Sequence, residues 1–272
     1  LSRIGTIDAV EQAKGELVEA LPGDGVAILN ADDERVRRMA ARTAARTMTY
    51  GFAADADVRA EQVVSRGADG MAFDLVTDVG RRPVVIPGLG RLAVHNALAG
   101  AAVGLAAGVP LATVVAGLTG GWSAPHRGEL VRAGGVTIVD DSYNASPGSV
   151  EAALELLGGM AGRRIAVLGE MLELGDEHEA GHERVGAAAA AVVDRLVVVG
   201  KGAGGIARGA HAAGLEGDAM ARVVDREAAR AQLLAELRPG DVVLVKASRG
   251  IALDLLVDDL VAALGPVWEP AS

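Results

Sequence analysis

Apolar residues recur along this chain in two rhythms. From Asp8 to Ala20 they follow helical spacing (Val10, Leu17, Val18), and Leu21-Pro22-Gly23-Asp24-Gly25 ends the run. Gly25 to Leu29 reads as a short buried strand with Asn30-Ala31-Asp32-Asp33 at its carboxyl end, followed by a basic helix from Glu34 to Arg46. Thr47–Phe52, Val58–Val64, Met71–Val76 and Arg82–Ile86 predict short strands of a meander joined by Gly/Asp turns. Leu92–Ala107 and Leu111–Leu118 predict two Ala-rich helices. The pattern breaks between Gly120 and Glu129, which places a domain boundary there and divides the chain into 1–124 and 125–272. Beyond it, strands at 136–139, 164–168, 195–199, 221–224 and 241–245 alternate with helices at 148–157, 177–192, 203–213, 226–236 and 250–263. That alternation predicts an α/β fold with a doubly wound parallel sheet.

Composition narrows the picture. The 272 residues suffice for two cores, and hydrophobic residues make up 50% while aromatics make up only 2%. Cores built from Ala, Val, Leu and Ile suit helices packed closely on a parallel sheet. With no cysteine, disulfides and thiolate metal sites are excluded, which fits a reducing cytoplasm. The net charge of −10 argues against nucleic acid or an anionic membrane as partner, though not against a locally held phosphate. No apolar run reaches membrane-spanning length, and no signal peptide is expected. The first residue is Leu rather than Met, so the chain is expected to be part of a longer one.

Candidate chemistry concentrates at Ile138-Val139-Asp140-Asp141-Ser142-Tyr143-Asn144-Ala145-Ser146-Pro147-Gly148. Here a buried strand runs into two carboxylates, a polar turn and a helix start, at the strand end where open α/β sheets bind ligands. The same residues also suit a solvated turn with an N-cap near Ser146. Lys246-Ala247-Ser248-Arg249-Gly250 likewise follows an apolar strand and opens a helix, which suits a carboxylate or phosphate, or simply a charged turn. Gly200-Lys201-Gly202-Ala203-Gly204-Gly205 looks like a phosphate loop but lacks Ser or Thr after the lysine; a tight turn is the better reading. The group Glu170, Glu173, Asp176, Glu177, His178 and His182 reads as a solvated helix start rather than a metal site. Lys14, on the first helix between small neighbours, is by spacing alone an ordinary surface lysine.

Taken together, these residues resemble the Mur ligase family. Asp140-Asp141-Ser142-Tyr143-Asn144-Ala145-Ser146-Pro147 is similar to the family's DDSYNANP element. Ala13-Lys14-Gly15-Glu16, Leu29-Asn30-Ala31-Asp32-Asp33, Asn96-Ala97-Leu98-Ala99, His126-Arg127-Gly128-Glu129, Leu168-Gly169-Glu170-Met171-Leu172-Glu173-Leu174-Gly175 and Lys246-Ala247-Ser248-Arg249-Gly250 match in the same order. The resemblance implies the later part of a central ATP-binding domain (1–124) followed by a Rossmann-like C-terminal domain with a parallel sheet (125–272). It further implies ATP-dependent addition of D-alanyl-D-alanine to UDP-N-acetylmuramoyl-tripeptide in peptidoglycan synthesis, through an acyl phosphate, with Mg2+, in the cytoplasm and as a monomer.

By that likeness Lys14 is a carbamylated lysine supporting magnesium. Asn30, Asp33 and Asn96 contact the nucleotide, and Arg127 reaches its phosphates across the domain cleft. Asp141, Tyr143 and Asn144 line the nucleotide and reaction centre, and Lys246, Ser248 and Arg249, with Asn144, face the peptide substrate. Two departures stand out. Where the family has G-x-H-N, this chain has Gly90-Arg91-Leu92-Ala93, with His95 displaced beside Asn96. The phosphate-binding loop G-x-x-x-x-G-K-[ST] and the N-terminal UDP-substrate domain are missing, so the chain is expected to be inactive alone. A catalytically silent binding subunit, or a ligase of the folylpolyglutamate or cyanophycin synthetase type, are the alternatives.

Overall fold

The computed structural model describes residues 6–121 and 124–265. The chain separates into two compact units, 1–122 and 123–272. Trp122 and Ser123, inside the expected break at Gly120–Glu129, lie outside the described residues.

The first unit contains α1 (Ile7–Glu19), β1 (Val26–Asn30), α2 (Glu34–Arg38), β2 (Arg46–Gly51), β3 (Val58–Ser65), β4 (Met71–Thr77), β5 (Gly80–Ile86), α3 (Gly90–Ala106) and α4 (Leu111–Gly120). Its five strands lie in sequence order. Only β3, β4 and β5 form an antiparallel meander; β1, β2 and β3 run parallel, which corrects the expectation for Thr47–Val64. Alternation alone cannot distinguish the two pairings, because both place every second residue on one face. The basic helix expected over 34–46 is also shorter: α2 gives way to one 3-10 turn ending at Arg42, and Thr43 is already extended. Val58, Ala60, Phe73, Leu75, Val84 and Ile86 bury one face of the sheet against Val94, Leu98 and Ala101 of α3. On β1, Ala27 and Leu29 turn to the other face and pack with Val18 of α1 and Met39.

The second unit contains β6 (Glu129–Ala133), β7 (Val136–Asp140), α5 (Pro147–Gly158), β8 (Arg164–Gly169), α6 (His178–Ala190), β9 (Arg195–Val199), α7 (Gly204–Ala212), β10 (Met220–Val223), α8 (Arg226–Glu236), β11 (Val242–Lys246) and α9 (Asp254–Leu264). Its sheet order is β10-β9-β8-β11-β7-β6, parallel throughout except for the β6–β7 hairpin. Strand β6 was not expected; its sequence sits inside a Gly- and Pro-rich stretch, and only pairing with β7 reveals it.

The central strands are buried on both faces, as expected of near-continuous Val/Leu/Ile runs. Leu168, Leu196, Val198 and Leu244 meet a cluster with Leu154 of α5, Val185 of α6 and Ile206 of α7. Ile165, Val167, Val197, Val243 and Val245 meet Leu233 of α8 and Leu256 and Leu260 of α9. After β7 and β8 the chain therefore leaves toward one face, and after β11 toward the other. Such a reversal between neighbouring strands opens a crevice at their carboxyl ends.

Candidate functional site

That crevice collects the polar residues of the second unit. Strand pairing sets Val245 opposite Asp140 and Lys246 opposite Leu168, so three strand ends converge. Lys246 is 3% exposed. Its ammonium donates to Asp141 Oδ2 at 2.5 Å, to the Asn144 carbonyl at 3.0 Å and to the Asp141 carbonyl at 3.4 Å. An ammonium has three donors and here has three acceptors. Burial raises the Asp141 carboxyl above its usual range, with Lys246 pulling it down, neighbouring Asp140 adding to the rise and Arg127 opposing it.

Ser248, also 3% exposed, accepts from Leu172 N at 2.8 Å and donates to the Ala145 carbonyl at 3.4 Å. Its own N–H donates to the Glu170 carbonyl at 3.0 Å. Lys246 and Ser248, expected to face a substrate, are thus internal: they pin the 141–145 turn and the loop after β8 to the end of β11. Asn144 is exposed, with its Oδ1 accepting from Ala145 N at 2.9 Å. Ser146 and Pro147 begin α5, with Ser149 Oγ accepting from Ser146 N at 2.9 Å.

The residues left facing outward are cationic and aromatic. The guanidinium of Arg127 lies 4.0 Å from the ring centre of Tyr143, and that of Arg249 lies 5.1 Å from the same ring. Both arginines are exposed and, among the described residues, neither has an ion-pair partner. Two unpaired guanidinium groups on one exposed ring suit an anion with several oxygens.

Beneath Arg127 lies a contact that the sequence reading did not anticipate. His126 has φ +62°, in the left-handed region rarely used by a side chain of this size. Its Nδ1 is 2.7 Å from Oδ2 of Asp140, which is 2% exposed. Oδ1 of Asp140 accepts from the N–H and the hydroxyl of Ser142, and the His126 carbonyl accepts from Tyr143 N at 3.0 Å. The hydrogen bond to Asp140 raises the His126 pKa, burial opposes it, and Asp140, Asp254 and Asp258 add to the rise. The hairpin is the signal for this contact: pairing Glu129 with Asp140 carries the residues just before β6 toward the end of β7.

The acidic group after β8 is not simply a solvated helix start. His182 is fully buried; its Nε2 accepts from Met171 N at 2.9 Å and its Nδ1 donates to the His178 carbonyl at 2.6 Å. Burial lowers its pKa, so it is a neutral bridge between α6 and the loop. His178 pairs with Glu170 at 3.2 Å. The Glu170 carboxylate also lies over Gly202, where a Cβ would overlap it, so this side chain covers the Gly-rich turn at 200–205.

In the first unit, Asn30 ends β1 and its Oδ1 lies 3.0 Å from His95 Nε2. His95 of α3, rather than the exposed Asn96 beside it, makes this contact. Asp33 is the N-cap of α2, its Oδ1 accepting from Arg35 N and Val36 N. That side chain, expected at the nucleotide, thus has a local role. Lys14 is on the exposed side of α1, and Gly15 next to it is covered by the guanidinium of Arg42. Among the described residues no group of three or more His, Cys, Asp or Glu side chains is arranged to hold a metal ion.

Comparison with known proteins matches these two units to two families. Residues 1–104 match the Mur ligase middle domain, and residues 126–249 match the Mur ligase, glutamate ligase domain. The UDP-N-acetylmuramoyl-tripeptide–D-alanyl-D-alanine ligase of Mycobacterium tuberculosis is 41% identical over an alignment of 288 positions that covers 96% of this chain and 56% of that protein. The protein of the same name from Escherichia coli is 36% identical over 264 residues, covering 94% of this chain and 56% of the relative. Among solved structures, MurF from Acinetobacter baumannii superposes with a TM-score of 0.85 at 28% identity, covering 96% of this chain and 57% of that one. The chain therefore spans about half the length of the curated relatives it matches.

Proposed function

The chain belongs to the Mur ligase family, and from that premise we propose that it is the nucleotide- and amine-side portion of a D-alanyl-D-alanine-adding ligase. The reaction proposed joins UDP-N-acetylmuramoyl-tripeptide to D-alanyl-D-alanine at the expense of ATP. An oxygen of the tripeptide's terminal carboxylate attacks the γ-phosphorus and ADP leaves. The dipeptide nitrogen then attacks the acyl carbon and loses a proton, and phosphate departs as the amide forms. Negative charge grows on the equatorial oxygens of the transferring group, so preorganised cations are the chief requirement.

The observation that carries this reading is the pair Arg127 and Arg249 on Tyr143, above a buried Asp141–Lys246 ion pair. In the proposal Arg127 takes the phosphate oxygens and Asp141 with Asn144 borders the reaction centre. Arg249 takes the anionic end of a peptide substrate, while Lys246 and Ser248 act from below by fixing the turn. Asn30 contacts the adenine base. Lys14 is exposed enough to accept carbamylation, which would exchange its positive charge for a carboxylate able to support Mg2+. A cytoplasmic monomer acting on small molecules belongs to the same proposal by family likeness, and the net charge of −10 speaks against an anionic partner such as nucleic acid.

No G-x-x-x-x-G-K-[ST] loop occurs in the 272 residues, so the chain alone is proposed not to turn over. Phosphate release measured on this chain, and on a protein joining it to the N-terminal portion of its relatives, tests that. Release from the longer protein only, and only with both substrates, is expected. Release from the chain alone overturns the fragment reading, and none from either points to a silent binding protein.

A further inference from the structure

At the carboxyl ends of β1 and β2, a small polar and aromatic cluster settles which way one amide faces. Asn30 Oδ1 accepts from the backbone N–H of Asp32 at 2.8 Å. A backbone N–H can only donate, so the atom facing it is the amide oxygen. His95 Nε2 lies 3.0 Å from the same oxygen, which can only accept, so the ring carries a proton on Nε2. Both lone pairs of that oxygen are then filled. The Asn30 NH2 group has no hydrogen-bond partner among the described residues.

The ring that makes this contact is itself held in place. Its centroid is 5.0 Å from that of Tyr50 and 6.0 Å from that of Phe52, and the Arg91 guanidinium lies 4.0 Å from the Phe52 ring centre. Asp32 Oδ2 stands 3.5 Å from His95 Nε2, and its carboxylate is fixed by the N–H groups of Phe52 and Ala53.

We infer that His95 is a positioning residue that, beside the Asp32 N–H, occupies the second lone pair of the Asn30 amide oxygen and leaves the NH2 as the group free to meet a ligand, so this site reads a base through an acceptor atom. For adenine that means a ring nitrogen and not the exocyclic amine, because the amide oxygen is no longer free to accept from an amino group. This rests on the nucleotide reading of the first unit and specifies what Asn30 recognises.

The test has one arm without ligand and one with it. In the full chain, 15N NMR of the His95 ring is expected to show the proton on Nε2; a proton on Nδ1 alone overturns the inference. NMR titration of the protein that joins this chain to the N-terminal portion of its relatives then compares ADP with its 1-, 3- and 7-deaza analogues and with the analogue lacking the 6-amino group. One deaza analogue is expected to bind about 10-fold more weakly than ADP, as for one lost hydrogen bond. His95→Phe leaves the Asp32 N–H on the amide oxygen but frees that oxygen's second lone pair, so the 6-amino group should become part of the recognition and the analogue lacking it should lose affinity, whereas His95→Gln, which can still donate, should keep the wild-type pattern. A merely structural histidine would weaken all analogues equally in His95→Phe, and that result, or an unchanged preference, overturns the inference. If ADP does not bind even that longer protein, the nucleotide reading fails, and with it the base-recognition half of the inference; the tautomer still decides the amide orientation.

Discussion

Replacing Lys246 with methionine keeps the stem that crosses the sheet end and removes the charge. In the native unit the ammonium sits 2.5 Å from the Asp141 carboxylate. At an effective dielectric constant of about 20, the gross attraction is about 6–7 kcal/mol, much of it cancelled by desolvation. Removing one partner of a buried pair costs about 3–5 kcal/mol, since the other charge stays behind. Asp141 is 22% exposed, so water takes up part of the loss and about 3 kcal/mol at neutral pH is expected.

The pH dependence gives the sign. Burial already holds the Asp141 pKa above its unfolded value, and Lys246 is the main influence lowering it. A carboxyl whose folded pKa is raised binds more protons in the native state. Its unfavourable contribution is absent below the unfolded pKa and grows as pH rises toward the folded pKa. Without Lys246 the folded pKa climbs further and the window widens upward. The deficit of Lys246→Met should therefore be largest near pH 7.5 and shrink as pH falls. Hydrogen exchange of the β7 and β11 amides at pH 5 and pH 7.5 measures this locally, which suits a chain of two units. Adding Asp141→Asn to Lys246→Met should recover most of the loss. A deficit equal at both pH values, or no deficit, refutes the reasoning.

Helices α6 and α7 meet backbone to backbone, and a Cβ at Gly209 would overlap the Glu183 carbonyl. Gly209→Ala should lower stability by about 1–3 kcal/mol in urea unfolding, despite alanine's better helix propensity of about 1 kcal/mol. The His126 pKa, read by NMR, should lie above the usual 6.5 because of Asp140, and should fall toward it in Asp140→Asn. Since its folded pKa exceeds the unfolded one, the His126 contribution to stability is complete below about pH 6.5 and lost as pH rises through the folded value.

Much of the second unit could be read in advance because Val- and Leu-rich strands such as β8, β9 and β11 bury both faces and leave no ambiguity of period. Strand β6 escaped notice because Glu129–Ala133 is short, half polar and held mainly by pairing with β7. In the first unit the strand positions were legible, but the direction of pairing depends on crossover connections that periodicity does not encode. The site residues divide in the same way. Arg127, Tyr143 and Arg249 sit in stretches whose order is distinctive, while the roles of His126, His182 and His95 depend on partners remote in sequence or hidden in a hairpin. His182 shows the limit most plainly: its partners are Met171 N, eleven residues earlier, and the His178 carbonyl on its own helix, and neither is coded by a side chain.

The most direct measurement is amide formation by a protein joining this chain to the N-terminal portion of its relatives, followed by mass spectrometry with phosphate release in parallel. The account predicts one phosphate per amide, strict dependence on both UDP-N-acetylmuramoyl-tripeptide and D-alanyl-D-alanine, and a rate lowered about 10²–10³-fold by Arg127→Ala. Phosphate release indifferent to the dipeptide, or full activity in Arg127→Ala, would contradict it.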